Sequence, residues 1–257
     1  MSQERTKMPE NQQWLAQQVK MIAFTTEPLR SLEQTWWSDL TGLPPEITTK
    51  KPQLVEASGS FEGDVLALEV THFRVCWTIS PNFTPEALAG GFPTLGPASS
   101  RRDWLVELMA RWLKNKPPIK RLAFAATLLQ IVSSKAEAYQ QLGKYLPGVT
   151  VDPDTSDFMF RLNRQSDSHS GIPGLRINRL CTWGALKFKF DLHANPMGSE
   201  QFRDVPLRDD QNACVIELDI NTAPEFDAPQ LPSDSLATIY AELVDKGLEA
   251  AEKGDRK

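Results

Sequence analysis

Apolar positions along the chain alternate between strand-length runs and helical stripes, in an order that occurs twice. Val19 to Thr25 is an apolar run of strand length. Glu27-Pro28 then predicts a helix start, since proline is tolerated at the first helical position. Leu29, Leu32, Trp36, Trp37 and Leu40 fall on one face of that helix, and Gly42-Leu-Pro-Pro45 stops it. Strand-like runs follow at Leu54 to Phe61, Val65 to Val70 and Phe73 to Ile79, with Glu62-Gly63-Asp64 as a turn between the first two. Apolar parity switches between Leu66, Leu68, Val70 and Phe73, Val75, Trp77, which predicts a hairpin turn at Thr71-His72. A long loop, Pro81 to Ser100, carries four of the 19 prolines and ends in Ser100-x-x-Asp103. That pair reads as a capped start for a helix with Trp104, Leu105, Leu108, Met109, Trp112 and Leu113 on one face.

The order then repeats. Ile119 to Val132 is an unusually apolar run whose first residues, Ile119-Lys-Arg-Leu-Ala-Phe124, match Val19-Lys-Met-Ile-Ala-Phe24. Ser134-x-x-Glu137 caps a helix with Tyr139, Leu142, Tyr145 and Leu146. Phe158 to Asn163, Leu175 to Leu192 and Cys214 to Thr222 read as strands, and Leu236, Ile239, Tyr240, Leu243 and Leu248 mark a closing helix. The expected fold is α+β: two pseudo-repeats of β-α-β-β-β-α, with antiparallel sheets and helices packed on one face. Residues 1–18 read as a flexible lead-in, 19–118 as the first unit, 119–253 as the second and 254–257 as a frayed tail. Joining the sheets edge to edge in a saddle would remove two exposed edges. The element order resembles the TATA-binding-protein fold, a resemblance of layout that carries no DNA-binding expectation.

Several segments are similar to a sporadically distributed group of uncharacterised bacterial proteins. They are Lys120-Arg-Leu-Ala-Phe-Ala-Ala-Thr-Leu-Leu-Gln130, Tyr145-Leu-Pro-Gly148, Asp157-Phe-Met-Phe-Arg-Leu-Asn-Arg164, Ile177-Asn-Arg-Leu-Cys-Thr-Trp183, Trp36-Trp37-Ser-Asp-Leu-Thr-Gly42 and Arg111-Trp-Leu113. The resemblance implies a compact prokaryotic cytoplasmic protein and brings no activity, cofactor or catalytic residue with it. A component of a prokaryotic defence or toxin-antitoxin locus is one expectation it raises.

Composition narrows the function classes. A formal net charge of -5 disfavours a phosphate-backbone partner, which needs clustered cations. The chain has no apolar run near the length of a spanning helix, and its first 13 residues are polar, so a cytoplasmic location without membrane contact is expected. Cys76, Cys181 and Cys214 are odd in number and flanked by apolar residues, which fits reduced, buried thiols. Phosphate-loop, dinucleotide, His-Glu-x-x-His and Gly-x-Ser-x-Gly patterns do not occur, and no cofactor is expected.

The best polar constellation lies on the second-unit strands. If Leu186, Phe188, Phe190 and Leu192 face the core, then Lys187, Lys189, Asp191 and His193 face outward. Glu217, Asp219 and Asn221 alternate with the apolar residues of the last strand, and Arg161 and Asn163 do so on an earlier one. With those strands as neighbours, Arg161, Asn163, Lys187, Lys189, Glu217, Asp219 and Asn221 form one binding face. The leading expectation is therefore a non-enzymatic binding or assembly protein that holds a partner protein on this face or on its long loops. Self-association into a homo-oligomer is left open. The alternative is a metal-dependent hydrolase with Asp191, His193 and Glu217 as ligands and Asp219 as base. Ser166-Asp-Ser-His-Ser-Gly171 mixes triad residue types, but adjacent positions in a polar loop rarely converge as a triad, and a flexible connection is expected there.

Overall fold

The two long apolar runs become neighbouring central strands. A computed structural model describes residues 13–29, 35–84, 87, 91–188 and 211–255. In it, β1 (Leu15–Thr25) and β6 (Ile119–Val132) pair antiparallel with each other. Outward from β1 come β5 (Arg74–Ser80), β4 (Asp64–Thr71), β3 (Leu54–Phe61) and β2 (Ile47–Lys51). Outward from β6 come β9 (Gln211–Thr222), β8 (Arg176–Phe188) and β7 (Met159–Asp167). The result is one antiparallel sheet of nine strands. Four helices accompany it among the described residues: α1 (Trp36–Thr41), α2 (Arg102–Leu113), α3 (Lys135–Tyr145) and α4 (Leu236–Lys253). The expectation of a mixed α+β fold built on antiparallel strands is met. The sheets of the two halves merge through β1 and β6.

Alternation assigns the faces. Val19, Met21 and Ala23 of β1, Leu122, Phe124 and Leu128 of β6, and Ile216, Leu218 and Ile220 of β9 belong to a single buried cluster with residues of all four helices. Four tryptophans anchor the first half of this cluster. Trp77 lies within 6.3 Å of Trp37 and Trp112, and Trp112 meets Trp36 edge-on at 5.6 Å. In the second half α4 lies close to the sheet, and Gly247 faces the Phe124 ring and Ile220.

The register bears on the matching hexapeptides. They lie side by side, with Met21 opposite Phe124, Ile22 opposite Ala123 and Ala23 opposite Leu122. Directly opposed residues of an antiparallel pair share a face. Phe124 therefore points to the helices, where it meets Tyr240, whereas Phe24 lies on the other face beneath the Arg121 guanidinium. The two phenylalanines that align in sequence thus occupy opposite faces. A two-fold relation between the central strands that preserves the faces requires an odd offset, whereas the sequence match is offset by an even number of residues.

Other expectations are corrected at element ends. Ile47–Lys51 pairs with β3, so the first half holds a strand that its polar composition concealed. The described part of the first helix is Trp36–Thr41, and Pro28-Leu29 precede it in non-helical backbone, with Leu29 N–H donating to the His72 carbonyl at 2.7 Å. Ser100 does not cap α2. Ala98–Arg101 forms a 3-10 turn, and the Ser100 hydroxyl donates back to the Pro97 carbonyl at 2.8 Å. Ser134 does cap α3, accepting from Glu137 N–H at 3.2 Å, while Glu137 accepts from Ser133 N–H at 2.8 Å. The Glu62-Gly63 turn takes positive φ at both residues, 52° and 91°, the geometry of a tight hairpin. β1 starts at Leu15, within the stretch read as a lead-in, and Trp14 is buried with its indole N–H donating to the Ala251 carbonyl at 2.7 Å. Asp255 is held in place: its carboxylate takes both Arg164 donors at 2.5 and 2.9 Å, and its N–H reaches the Tyr145 carbonyl.

Candidate functional site

The helices cover one face of the sheet. On the other face, registers align side chains in rows that cross the strands. One row runs Lys20, Ala125, Asp219, Leu180, Asn163 from β1 to β7. The next runs Gln18, Thr127, Glu217, Thr182, Arg161. Between long side chains on β1, β9 and β7 stand short or apolar ones on β6 and β8. The face is consequently recessed, and these residues other than Asn163, together with Met159, line a groove of about 470 Å³. Met159 is 77% exposed at its rim.

The charges of the groove are ordered. Lys20 stands two strands from Asp219, and Arg161 stands two strands from Glu217, each about 10 Å away at ordinary strand spacing. Among the described residues, Lys20, Arg161 and Glu217 enter no ion pair. Asp219 is oriented from its own strand: Asn221 Nδ2 donates to its Oδ1 at 2.8 Å.

A carboxamide chain borders the groove. Asn178 Oδ1 accepts from Gln165 Nε2 at 3.1 Å and from Asn163 Nδ2 at 3.4 Å, and Asn178 Nδ2 donates to Asn221 Oδ1 at 3.2 Å. Arg121 donates to the same Asn221 oxygen at 3.1 Å and, through Nε, to the Thr222 carbonyl at 3.2 Å. Its guanidinium carbon stands 5.4 Å from the Phe24 ring centroid. Asn221 is buried, so its amide depends on these partners. At the opposite border a small apolar cluster of Leu129, Ala213 and Val215 packs with Ile131, Phe188 and Phe92, the Phe92 and Phe188 rings 4.3 Å apart. The Pro-rich loop thus covers part of the non-helical face.

Five of the seven expected binding-face residues, Arg161, Asn163, Glu217, Asp219 and Asn221, share this face. Lys187 does not. Phe188 and Leu186 take the outer parity, Phe188 against Phe92 and Leu186 at 42% exposure, so alternation sends Lys187 to the other side. The expectation that Leu186 and Phe188 point into the main core fails because the loop around Phe92 supplies a second apolar surface. Lys189, Asp191 and His193 lie outside the described residues. Among the described residues, no group of three or more His, Cys, Asp or Glu side chains is placed to hold a metal ion.

The Ser166 to Gly171 loop is pinned to α4. Glu242 accepts from the Ser168 hydroxyl at 2.6 Å and from His169 N–H at 2.8 Å, and Lys246 donates to Ser166 at 3.2 Å. His169 points to solvent, with its side chain 83% exposed, so its imidazole does not serve Ser168. Cys76, Cys181 and Cys214 are buried and free, and burial pushes the Cys181 and Cys214 thiols up to about 12.

Gln18, Lys20, Thr127, Leu180 and Thr182 joined the site only through strand order. Their outward parity was readable, but β1 and β6 belong to different halves and nothing local announces that they pair. No protein-family model, curated protein or solved structure matches the chain. No described helix is long and apolar enough to cross a membrane.

Proposed function

We propose that the protein is a non-enzymatic binding protein that holds a partner polypeptide on the outer face of its sheet. The observation that carries this reading is the groove, in which Lys20, Arg161, Glu217 and Asp219 stand around a floor of short side chains. Among the described residues Lys20, Arg161 and Glu217 enter no ion pair, and charges spread across a recessed surface suit recognition, since complementary charges set register and exclude wrong partners. Carboxylates at the centre oppose a phosphate backbone, in keeping with a protein partner. Three buried free thiols and the likeness to a bacterial group support a reducing cytoplasmic setting. We further propose that the halves descend from one duplicated unit. Support comes from the strand order, in which β5, β4 and β3 follow β1 outward as β9, β8 and β7 follow β6.

A photo-crosslinking residue in place of Thr182, on the groove floor, tests the binding reading in cells. Wild-type background is expected to give a discrete adduct that disappears with Arg161→Glu plus Asp219→Lys at an unchanged melting temperature. An adduct of equal yield in that double variant would show that the partner sits elsewhere.

A further inference from the structure

The spacing of the groove charges specifies more than a partner class. We propose that the groove takes an extended segment lying across the strands, with a basic side chain over Glu217 and Asp219 and an acidic side chain three residues away on each side, over Lys20 and Arg161. This rests on the binding reading above and names the segment bound.

The argument is metric. Lys20 on β1 and Arg161 on β7 flank the β9 carboxylates, each separated from them by one intervening strand. Two strand spacings are about 10 Å, and a segment in the extended polyproline-II conformation, with three residues per turn and about 3.1 Å per residue, brings every third side chain back to the same side, so alternate charges fall three residues apart. The intervening strands contribute Ala125 and Thr127 on one side and Leu180 and Thr182 on the other, short enough for a main chain to pass over them. Gln18, Thr127 and Thr182 offer donors and acceptors to peptide groups of that chain. Asp219 is held in place by Asn221, and the carboxamide chain through Asn178 stiffens the border, so little ordering is left for the bound state. The charge sequence reads plus, minus, plus across about 20 Å. A single ion would not engage it.

The test uses a labelled heptapeptide, Glu-Thr-Ser-Lys-Thr-Ser-Glu, and fluorescence anisotropy on the full chain. It is expected to bind at least about tenfold more tightly than the inverted peptide Lys-Thr-Ser-Glu-Thr-Ser-Lys and than the shortened Glu-Thr-Lys-Thr-Glu. Glu217→Gln with Asp219→Asn should weaken the heptapeptide by about tenfold or more, while Glu107→Gln, on exposed α2 surface, leaves it unchanged. Binding should also weaken as salt rises. Equal affinity for the inverted or shortened peptide, insensitivity to the double variant, or no binding at about 1 mM overturns the proposal. If the heptapeptide fails while the groove variants still abolish the crosslinked adduct, the segment chemistry is rejected and binding on this face stands.

Discussion

Gly247→Ala sets two known effects against each other inside α4. Alanine in place of an interior helical glycine gains about 0.8–1 kcal/mol of helix propensity. The added Cβ, however, would stand 2.8 Å from Phe124 Cε1, 3.1 Å from Cδ1 and 3.3 Å from Ile220 Cγ1. Phe124 is 1% exposed, with Tyr240 edge-on beside it and buried Met21 opposite on β1, so its ring has little room to retreat. Overpacking a filled core costs about 1–3 kcal/mol. The clash outweighs the propensity gain, and a net loss of about 0.5–2 kcal/mol is expected, seen as a fall of about 2–4 °C in melting temperature per kcal/mol. Phe124→Leu removes the ring atoms in conflict. In that background Gly247→Ala should become neutral or stabilising by up to about 1 kcal/mol, a sign reversal read from urea unfolding of all four members of the cycle. Stabilisation by Gly247→Ala in the wild type, or the same cost in both backgrounds, would refute the close approach of α4 to the sheet.

Four further outcomes follow from local geometry. Ser134→Ala removes the cap of α3 and should cost about 1 kcal/mol of unfolding free energy. The hydrogen bonds from Ser133 hold the Glu137 carboxyl below its usual range, so their contribution is present above pH 4.5 and lost as pH falls; a Glu137→Gln variant lacking that acid-side loss relative to wild type confirms it. Burial raises the Asp64 carboxyl above 3.8 against the pull of Arg101, 3.2 Å away, so the folded state binds this proton more tightly. The associated stability is complete below 3.8 and is lost as pH rises. Wild type should therefore lose stability relative to Asp64→Asn across that window, and a constant gap from about pH 3 to 6 would contradict it. Finally, Cys181 and Cys214 should resist an aromatic disulfide reagent near pH 8 until urea unfolds the protein; reaction beforehand would place them outside the core.

Much of the architecture was legible because its signals are local. The β3–β4 hairpin followed from Glu62-Gly63, the β4–β5 hairpin from the parity switch at His72, and α3 from Ser134 with Glu137. The misreadings share a cause. β2 is an edge strand that buries little, so Ile47–Lys51 carries no apolar alternation. Phe188 carries the apolar signal of a core strand, yet the surface it packs on is a loop, and that reversed Lys187. The candidate site was half legible: β9 and β7 announced Glu217, Asp219 and Arg161, while Lys20 and Thr127 depended on which strand lies beside which.

By itself the sequence determined the types of the strongly periodic elements, the buried face of β4, β5 and β9, and the buried state of the three cysteines, because these rest on periodicity and neighbours along the chain. Only the tertiary structure decided that β1 and β6 join two sheets into one, that Phe24 and Phe124 face opposite ways, and that Lys20, Glu217, Asp219 and Arg161 line one groove. The physical reason is the range of the interaction. A strand's side-chain parity is set by its own pleat, whereas its partner is chosen by backbone hydrogen bonds to residues about a hundred positions away.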